Sequence, residues 1–464
     1  MSNIAMLSVH TSPLAALGGK ETGGMNVYVR DLSCALAALG HTVDVFTRWQ
    51  DPTVPRVTNF APGVRVIQIE AGPRGPYDKN RVYDHLDQFV KGVELFRRCN
   101  GNPNYDIIHA HYWLSGAVGV KLRKRWQWQQ GKRVPLLQMF HTLGKLKNGI
   151  AQTPQELEVA NRIAVEEQLG RQADMLIAPT PTERGYLAWE YNAPFGKIRI
   201  VPCGVDTAMF RPAAGERDAA RDRLGLSRTA RYALFVGRIE RLKGIETLLR
   251  AVAQLKRNAD PIGENIKLLI VGGDLDPSQQ TTDDEMTRLH YLAAELDVCD
   301  RTAFLGAQPQ ERLRDYYNAA DAVLMPSRYE SFGMVAVEAM ASGTPVIASR
   351  VGGLAHTVQD GETGYLLPHD DVPAWAGKLR LILSDDALRQ WLGQQAAIQA
   401  QQFAWPHIAT QIDTLYGEAL QGEAIRKPSL RRRVQDAAGC LLDSLPVSKL
   451  VEPSLVVAGD LSCR

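Results

Sequence analysis

The sequence has few cysteines, and they are not arranged to hold a fold or a metal ion. Its 464 residues include six cysteines, and these form neither a CxxC pair nor a spacing typical of zinc ligands. The sequence therefore predicts neither a disulfide framework nor a zinc site. A reducing cytoplasm is the simplest compartment for such a chain.

The sequence also lacks a strong excess of charge of one sign and long hydrophobic runs. The formal net charge is +2, so no global field favours nucleic acid. No uncharged stretch reaches the about 18 to 20 apolar residues of a membrane span. The first apolar run has no cationic flank and is soon followed by His10 and Ser12, which favours a first strand over a signal peptide. With 45% hydrophobic and 22% charged residues, the composition is typical of a soluble globular protein, and the length of 464 residues is enough for two domains of ordinary size.

What is present is a repeated strand–loop–helix pattern. Residues 4–9 predict a strand, 12–26 a glycine-rich loop, 27–39 a helix and 41–47 a second strand. The loop lacks GxGxxG, so the dinucleotide fingerprint is absent. Gly23 and Gly24 directly precede the helix and would let a phosphate or sugar approach the backbone, although a merely permissive loop is the alternative.

Polar side chains follow several further strand-like runs in the first half. The runs lie at residues 64–69, 106–110, 134–140 and 175–179. The polar residues at or just after their ends are His109, His111, Tyr112, His141, Thr142 and Lys145. A single histidine at a strand end is usually a structural residue, but this repetition predicts a polar pocket at one sheet edge. Lys79 and Arg162, the latter on a predicted helix 154–171, are candidate anion contacts with solvated surface charges as the alternative.

The pattern stops in a proline-flanked connector at residues 202–212 and then restarts. Predicted strands lie at 232–236, 267–271, 302–305, 322–325 and 346–348, with a helix at 245–256 and a turn and short strand at 361–367. Arg238 and Lys243 could converge on a diphosphate and neutralise it without a metal, for which no carboxylate cluster is evident; surface charges are the alternative. Gly352 and Gly353 form a second glycine turn before a helix.

The chain is organised around residues 326–345, a loop that enters a helix near Phe332. Unpaired N–H groups at such a helix start form an anion site. Glu330 precedes the helix and Glu338 lies a little over two turns later, so both can face one cleft and reach different parts of a nucleotide sugar. The alternative is a capping acid and a surface charge.

These patterns predict an α/β protein with two Rossmann-like domains facing across a cleft. We expect a first domain at residues 1–205 and a second domain at 206–402. The basic tail, 421–464, is expected to be disordered, with binding to an anionic membrane surface as the lesser alternative.

Six sequence blocks carry a resemblance to a known family. They are the E-x7-E motif from Glu330 to Glu338, GGMN, HAHYWLSG, HTLGKLKN, GR(x4)KG and SGTPVIAS. Over roughly residues 4–420 the chain resembles the retaining GT-B glycosyltransferases of family 4. Within that family it is most similar to the enzymes that act on inositol phosphate, followed by the sucrose-phosphate synthases. The resemblance implies that a last helix at 403–420 packs back on the first domain and completes it.

The resemblance implies roles for individual residues. Arg238 and Lys243 would bind the donor diphosphate, Glu330 the donor sugar, Glu338 the ribose, and His141 would lie near the anomeric centre. The implied catalytic residues are His141, Arg238, Lys243 and Glu330. The implied donor-binding residues are Gly23, Gly24, Arg238, Lys243, Glu330, Ser331, Phe332, Gly333, Met334, Val335 and Glu338. The implied acceptor-binding residues are Asn26, Lys79, Tyr112, Thr142 and Arg162.

The implied reaction is transfer of a hexosyl group, N-acetylglucosamine or glucose, from a UDP-sugar to a small phosphorylated acceptor such as inositol phosphate. No cofactor would be required, no nucleic acid or membrane span is expected, and a homodimer is left open. Sucrose-phosphate synthesis from fructose 6-phosphate and a non-enzymatic nucleotide-sugar sensor are the alternatives. Ala355 and Gln308 depart from the family pattern, and Gln308 puts the preference for uridine in question.

Overall fold

The computed structural model describes residues 1–15, 23–75, 77–101, 103–213, 215–258, 261–273 and 285–422. Parts of the predicted glycine-rich loop and the whole tail from residue 423 therefore lie outside the described residues. Within the described ranges, no helix is long and apolar enough to cross a membrane.

The first half of the chain forms an eight-stranded sheet in the order β3-β4-β2-β1-β5-β6-β7-β8. All neighbouring strands are parallel except β3 and β4. The strands are β1 (Asn3–Leu7), β2 (Thr42–Arg48), β3 (Val57–Ala61), β4 (Val64–Ile69), β5 (Ile107–His111), β6 (Leu136–Met139), β7 (Met175–Ala178) and β8 (Ile198–Ile200). The helices are α1 (Gly24–Ala38), α2 (Leu86–Cys99), α3 (Tyr112–Gln130), α4 (Gly144–Ile150), α5 (Ala160–Gln172) and α6 (Pro181–Trp189).

The second half forms a six-stranded parallel sheet in the order β11-β10-β9-β12-β13-β14. Its strands are β9 (Arg231–Val236), β10 (Ile266–Val271), β11 (Thr302–Phe304), β12 (Ala322–Met325), β13 (Val346–Ser349) and β14 (Gly364–Leu367). The helices of this half are α7 (Glu216–Leu224), α8 (Ile245–Arg257), α9 (Pro261–Asn265), α10 (Glu285–Glu295), α11 (Gln310–Ala319), α12 (Met334–Ala341), α13 (Leu354–Thr357), α14 (Val372–Ser384) and α15 (Asp386–Ala400). The predicted α/β architecture of two such halves is confirmed.

The final helix, α16 (Trp405–Gln421), returns to the first half of the chain. Its Tyr416 hydroxyl lies 2.8 Å from Nδ1 of the buried His109, and its Asp413 pairs with His41 at 3.0 Å. Trp405 contacts the Tyr28 ring edge-on at a centroid distance of 5.4 Å. Both ends of the described chain therefore pack on the first sheet.

Apart from β3 and β11, the strands are largely buried on both faces, as parallel sheets covered by helices require. On β1, Ile4 and Met6 join an apolar cluster that extends into the second half, while Ala5 and Leu7 join a cluster on the opposite face of the first sheet. A third cluster fills the outer face of the second sheet. The shared cluster holds the two halves around the cleft between their sheets.

Three local predictions need correction. β3 and β8 were not predicted, since β3 is a half-exposed edge strand and β8 has only three residues. The single helix expected at 154–171 is a turn, Pro154–Glu156, followed by α5, because Val159 is extended at φ −64° and ψ 142°. The central helix begins at Met334 after Gly333, at φ 95°, two residues beyond the expected start near Phe332.

Candidate active site

One cavity lies between the carboxyl ends of the strands of the two sheets. The strands β1, β5 and β6 end on one side of it and β9, β10 and β12 on the other. All the predicted site residues line this cavity, which brings together Gly23, Gly24, Asn26, Lys79, Tyr112, His141, Thr142, Arg162, Arg238, Lys243, Glu330, Ser331, Phe332, Gly333, Met334, Val335 and Glu338. The cavity is where parallel α/β folds bind ligands. The role of each residue stays a prediction.

The loop between β12 and α12 forms one wall of the cavity. α12 begins at Met334, and the first N–H groups of a helix have no partner within the helix. Gly24 faces this helix start from the first half, since a Cβ at Gly24 would lie 3.2 Å from Met334 Sδ. The glycine turn at the start of α1 and the start of α12 therefore meet across the cleft.

The two predicted diphosphate cations are already paired with carboxylates. Lys243 Nζ lies 2.6 Å from the Glu330 carboxylate, and Arg238 Nη1 lies 2.7 Å from Glu240. Gly244 follows Lys243 at φ 65°, and a Cβ there would lie 2.2 Å from the Pro326 carbonyl oxygen. The glycine thus lets the loop after β9 pack against the loop after β12. An anion bound here would share the two cations with these carboxylates or displace the carboxylates from them.

Glu338 is buried on α12 and faces the same cavity. The Tyr317 hydroxyl donates a 2.7 Å hydrogen bond to its carboxylate. Burial raises the pKa of Glu338 to about 7, and the bond from Tyr317 opposes this shift. The alternative of a surface charge is therefore wrong for Glu338.

The predicted acceptor residues form a second charged region. Arg162 is fully buried, with Glu166 at 2.7 Å from Nε and Glu158 at 2.9 Å from Nη1. It also donates to the carbonyl and hydroxyl of Thr142 at 2.8 and 3.0 Å, and its guanidinium lies 4.8 Å from the centre of the Tyr112 ring. The alternative of a solvated Arg162 is therefore wrong.

Lys79 lies beside this arginine and is largely buried. Burial lowers the pKa of Lys79, and the charge of Glu158 opposes this effect. Tyr112 has φ 75°, an uncommon left-handed conformation for a residue with a side chain, and burial raises the pKa of its hydroxyl to about 12. Tyr112 is thus a neutral hydroxyl in this region.

Asn26 uses its amide within the first half of the chain. Its Oδ1 accepts a 3.0 Å hydrogen bond from Gly23 N, and its Nδ2 donates to the Thr11 hydroxyl at 2.7 Å and the Ser12 carbonyl at 2.6 Å. Asn26 thus shapes the turn that precedes α1, and a contact with an acceptor stays a prediction.

His141 is a neutral group that lines the cavity. It has φ 62°, and its Nε2 lies 3.0 Å from His111 Nδ1. Burial lowers the pKa of His141 to about 3. His109, expected in the polar pocket, instead bonds to α16. Lys145 also lies elsewhere, 2.6 Å from Glu167.

Sequence reasoning missed other residues that line the cavity. His10 and Thr11 follow β1, and the ring of His10 contacts that of Tyr112 at a centroid distance of 4.4 Å and a tilt of 39°. Their position after a strand was the signal that could have found them. Gln308, which the sequence comparison with the family had already singled out, lines the cavity too, and its amide donates a 2.8 Å hydrogen bond to the Leu305 carbonyl. Within the described ranges, no group of three His, Cys, Asp or Glu side chains is placed to hold a metal ion.

The second glycine turn supports the site without lining the cavity. A Cβ at Gly352 would lie 2.1 Å from the Glu330 carbonyl oxygen, and one at Gly353 would lie 2.3 Å from that of Ser331. The second glycine turn therefore supports the loop between β12 and α12 by close backbone packing.

Two family models match the chain. The model described as Glycosyltransferase Family 4 matches residues 22–209, and the model described as Glycosyl transferases group 1 matches residues 216–399. The chain is 42% identical over 422 residues to the D-inositol 3-phosphate glycosyltransferase of Corynebacterium efficiens, covering 90% of this chain and 96% of the relative. The enzyme of the same name from Nocardia farcinica is 43% identical over 421 residues, covering 90% of each chain.

Solved structures are similar over the same span. The sucrose-phosphate synthase of Thermosynechococcus elongatus has a TM-score of 0.80 and 39% identity, covering 91% of this chain and all of that one. The Anabaena protein HepE, solved with UDP-glucose, has a TM-score of 0.67 at 20% identity, covering 90% of this chain and all of HepE. The latter likeness concerns the fold alone.

Proposed function

This chain belongs to the family 4 glycosyltransferases of the GT-B fold, and we propose that it moves a hexosyl group from a UDP-sugar to a small phosphorylated acceptor with retention of configuration. The donor sugar is N-acetylglucosamine or glucose, and the acceptor is of the inositol phosphate type. One observation carries the proposal: a single cavity is lined by two pairs of cations, Lys79 with Arg162 from the first half of the chain and Arg238 with Lys243 from the second half.

The donor end is supported by its charges and its helix start. Lys243 and Arg238 supply two cations, and the first turn of α12 supplies N–H groups that favour an anion. Glu330 would accept hydrogen bonds from sugar hydroxyls and Glu338 from ribose hydroxyls. The relatives from Corynebacterium and Nocardia are named D-inositol 3-phosphate glycosyltransferases, and the Thermosynechococcus structure is that of a sucrose-phosphate synthase.

The acceptor end is supported by the buried position of Arg162. Burying a guanidinium is costly unless it is paired, and Glu158, Glu166 and Thr142 hold it in place. The side of the Arg162 guanidinium that is turned toward Tyr112 and Lys79 then forms a rigid anion site. We infer that this site receives the acceptor's phosphate.

The chemistry follows from what the cavity residues can do. Retaining glycosidases use a carboxylate nucleophile close to the reacting carbon. Glu330 instead bonds to Lys243 at 2.6 Å, which suits hydrogen bonding to the sugar rather than attack on it. We infer front-face substitution, in which the leaving diphosphate takes the acceptor's proton. Arg238 and Lys243 would stabilise the charge that develops on this diphosphate.

Sucrose-phosphate synthesis is the second candidate. The similarity to the Thermosynechococcus enzyme favours it, at 39% identity over 91% of this chain. Its acceptor, fructose 6-phosphate, would use the same phosphate site. The sensor alternative is not supported, since the chain belongs to a family of enzymes and its named relatives are transferases.

The test is release of nucleoside diphosphate by the purified protein in EDTA. UDP-N-acetylglucosamine and UDP-glucose are each combined with inositol phosphate, with fructose 6-phosphate or with no acceptor. We expect release that depends on inositol phosphate, and release with fructose 6-phosphate alone would select the second candidate. Silence with every pair would contradict the proposed acceptor class or the uridine base, and ADP- and GDP-sugars would separate these two outcomes.

A further inference from the structure

Lys147 lines the cavity beside the predicted acceptor residues but was absent from the predicted set. It lies on α4, and its ammonium group bonds to the Glu158 carboxylate. The Lys147 side chain is 20% exposed, whereas the Glu158 side chain is 5% exposed. The lysine thus reaches into the cavity from its rim toward a buried acid.

Glu158 lies among three cations. Its second carboxylate oxygen lies 2.9 Å from Arg162 Nη1, and its charge also acts on Lys79. Burial opposes ionisation of Glu158, yet Arg162 and Lys147 lower its pKa to about 2, so it is a carboxylate at neutral pH. Phosphate oxygens and carboxylate oxygens accept the same charge-assisted hydrogen bonds. Glu158 therefore binds the same cations that an acceptor phosphate would need.

Lys147 is the cation that can change partner. Arg162 is held by Glu166 at 2.7 Å and by Thr142 at 2.8 Å, and its side chain is fully buried. Lys147 has a flexible stem and Glu158 as its bonded partner. Moving an ammonium group between two anions at the cavity rim requires side-chain rotation alone.

Lys145, two residues earlier on α4, points elsewhere. Its ammonium group lies 2.6 Å from Glu167 and 5.0 Å from the centre of the Tyr191 ring. The helix thus directs one lysine into the cavity and the other away from it. This pair gives a matched variant and control on the same turn.

We propose that Lys147 is a further binding residue for the acceptor's phosphate, and that it moves from Glu158 to that phosphate when the acceptor binds. The proposal rests on the proposed function, because it assumes a phosphorylated acceptor. Glu158 then holds Lys147 at the cavity when the acceptor is absent and sets how strongly the pocket attracts an anion.

The test compares K147M with K145M in the full chain. Binding of inositol phosphate and of fructose 6-phosphate is measured by calorimetry with UDP saturating, so that the diphosphate site is filled. We expect K147M to weaken binding of whichever compound the wild type binds by about 10- to 100-fold, the value of one charge-assisted hydrogen bond. K145M should bind as the wild type does, and both variants should keep the wild-type affinity for UDP.

A second variant, E158Q, tests the exchange itself. Removing the competing carboxylate frees Lys147, so we expect tighter binding of the phosphorylated compound. Equal binding by K147M and the wild type, or equal losses in K147M and K145M, would overturn the role of Lys147. Weaker binding by a folded E158Q would overturn the exchange. Wild-type binding without turnover would contradict the proposed reaction and leave the Lys147 test in force, whereas no binding by the wild type would overturn both.

Discussion

Lys243 Nζ donates a 2.6 Å hydrogen bond to the Glu330 carboxylate and joins the loop after β9 to the loop after β12. The two side chains are only 17% and 18% exposed. β9 and β12 are neighbours in the second sheet, so their carboxyl ends bring the two loops together. The lysine proposed for the diphosphate therefore also orients the acid proposed for the sugar.

Lys243→Ala should lower turnover strongly. Removing one group that stabilises developing charge costs about 100- to 1,000-fold in kcat. The free energy of unfolding should fall by about 1 to 3 kcal/mol, since Glu330 loses its partner in a largely buried position. The measurement is kcat with UDP-glucose and with UDP-N-acetylglucosamine, beside thermal melting of the same sample.

Lys256→Ala is the matched control. Lys256 lies at the far end of α8 and pairs with Asp297 at 3.0 Å and Asp300 at 3.3 Å. We expect wild-type kcat in this variant. A Lys243→Ala protein with wild-type kcat would show that the proposed diphosphate contact is wrong.

Lys79→Met and Arg162→Met should separate binding from stability. Arg162 compensates the buried Glu158 and Glu166, so its loss should lower the free energy of unfolding by about 3 to 5 kcal/mol. Lys79, unlike Arg162, is not paired with Glu166. We therefore expect Lys79→Met to stay folded. Its KM for the phosphorylated acceptor should rise at least about tenfold. Acceptor kinetics and urea unfolding measure the two effects.

The control for Lys79→Met is Lys121→Met, which removes an exposed pair with Asp87. It should change neither KM nor unfolding by a measurable amount. Donor hydrolysis without acceptor should also be unchanged in Lys79→Met. An unchanged acceptor KM in this variant would remove Lys79 from the acceptor site.

The sheets and the cavity edge could be predicted because parallel strands are continuous apolar runs. Polar residues after such runs, such as Tyr112 and His141, must meet at one edge of the sheet. The burial of Arg162 could not be predicted, since Glu158 and Glu166 at four residues either side look like a solvated helix face. Only the packing of α5 under the cavity shows that all three are buried.

Contacts distant in sequence were also beyond prediction. His109 seemed a cavity residue by its strand position, but α16 arrives to bond with it through Tyr416. Lys145 and Lys147 are both lysines on α4. Which of them faces the cavity depends on where Glu158 and Glu167 lie in the fold. Sequence spacing alone does not contain that information.

Glu183 should make stability depend on pH. It lies on α6, is buried, and accepts a hydrogen bond from the Ser331 hydroxyl across the cleft. Burial raises its pKa from 4.5 to about 7, against the effect of Ser331. The folded state thus holds a proton that the unfolded state has lost, so the contribution of Glu183 to stability should fall by up to about 3 kcal/mol from pH 5 to pH 7. Buried histidines with a lowered pKa, such as His141, contribute in the opposite direction. The measurement is therefore the difference in urea unfolding between the wild type and Glu183→Gln across that range, which should contain the contribution of Glu183.

The control is Glu190→Gln, which changes an exposed acid at the end of the same helix. It should keep the wild-type slope of stability against pH. A residual slope is expected in Glu183→Gln, because the pKa of Glu338 is raised in the same direction. A wild-type slope in Glu183→Gln would contradict the assignment.

Gly353→Ala should displace the loop between β12 and α12. Gly353 has an ordinary helical φ of −68°, so the cost is steric: a Cβ would lie 2.3 Å from the Ser331 carbonyl oxygen and 2.4 Å from Phe332 Cα. Overpacking of this kind costs about 1 to 3 kcal/mol, and we expect KM for the UDP-sugar to rise with the loss of stability. Gly377→Ala is the control, since nothing lies within 4 Å of its added Cβ, and it should stabilise α14 by about 0.5 to 1 kcal/mol. Donor kinetics and urea unfolding test both variants, and a wild-type KM in Gly353→Ala would show that the loop does not depend on this contact.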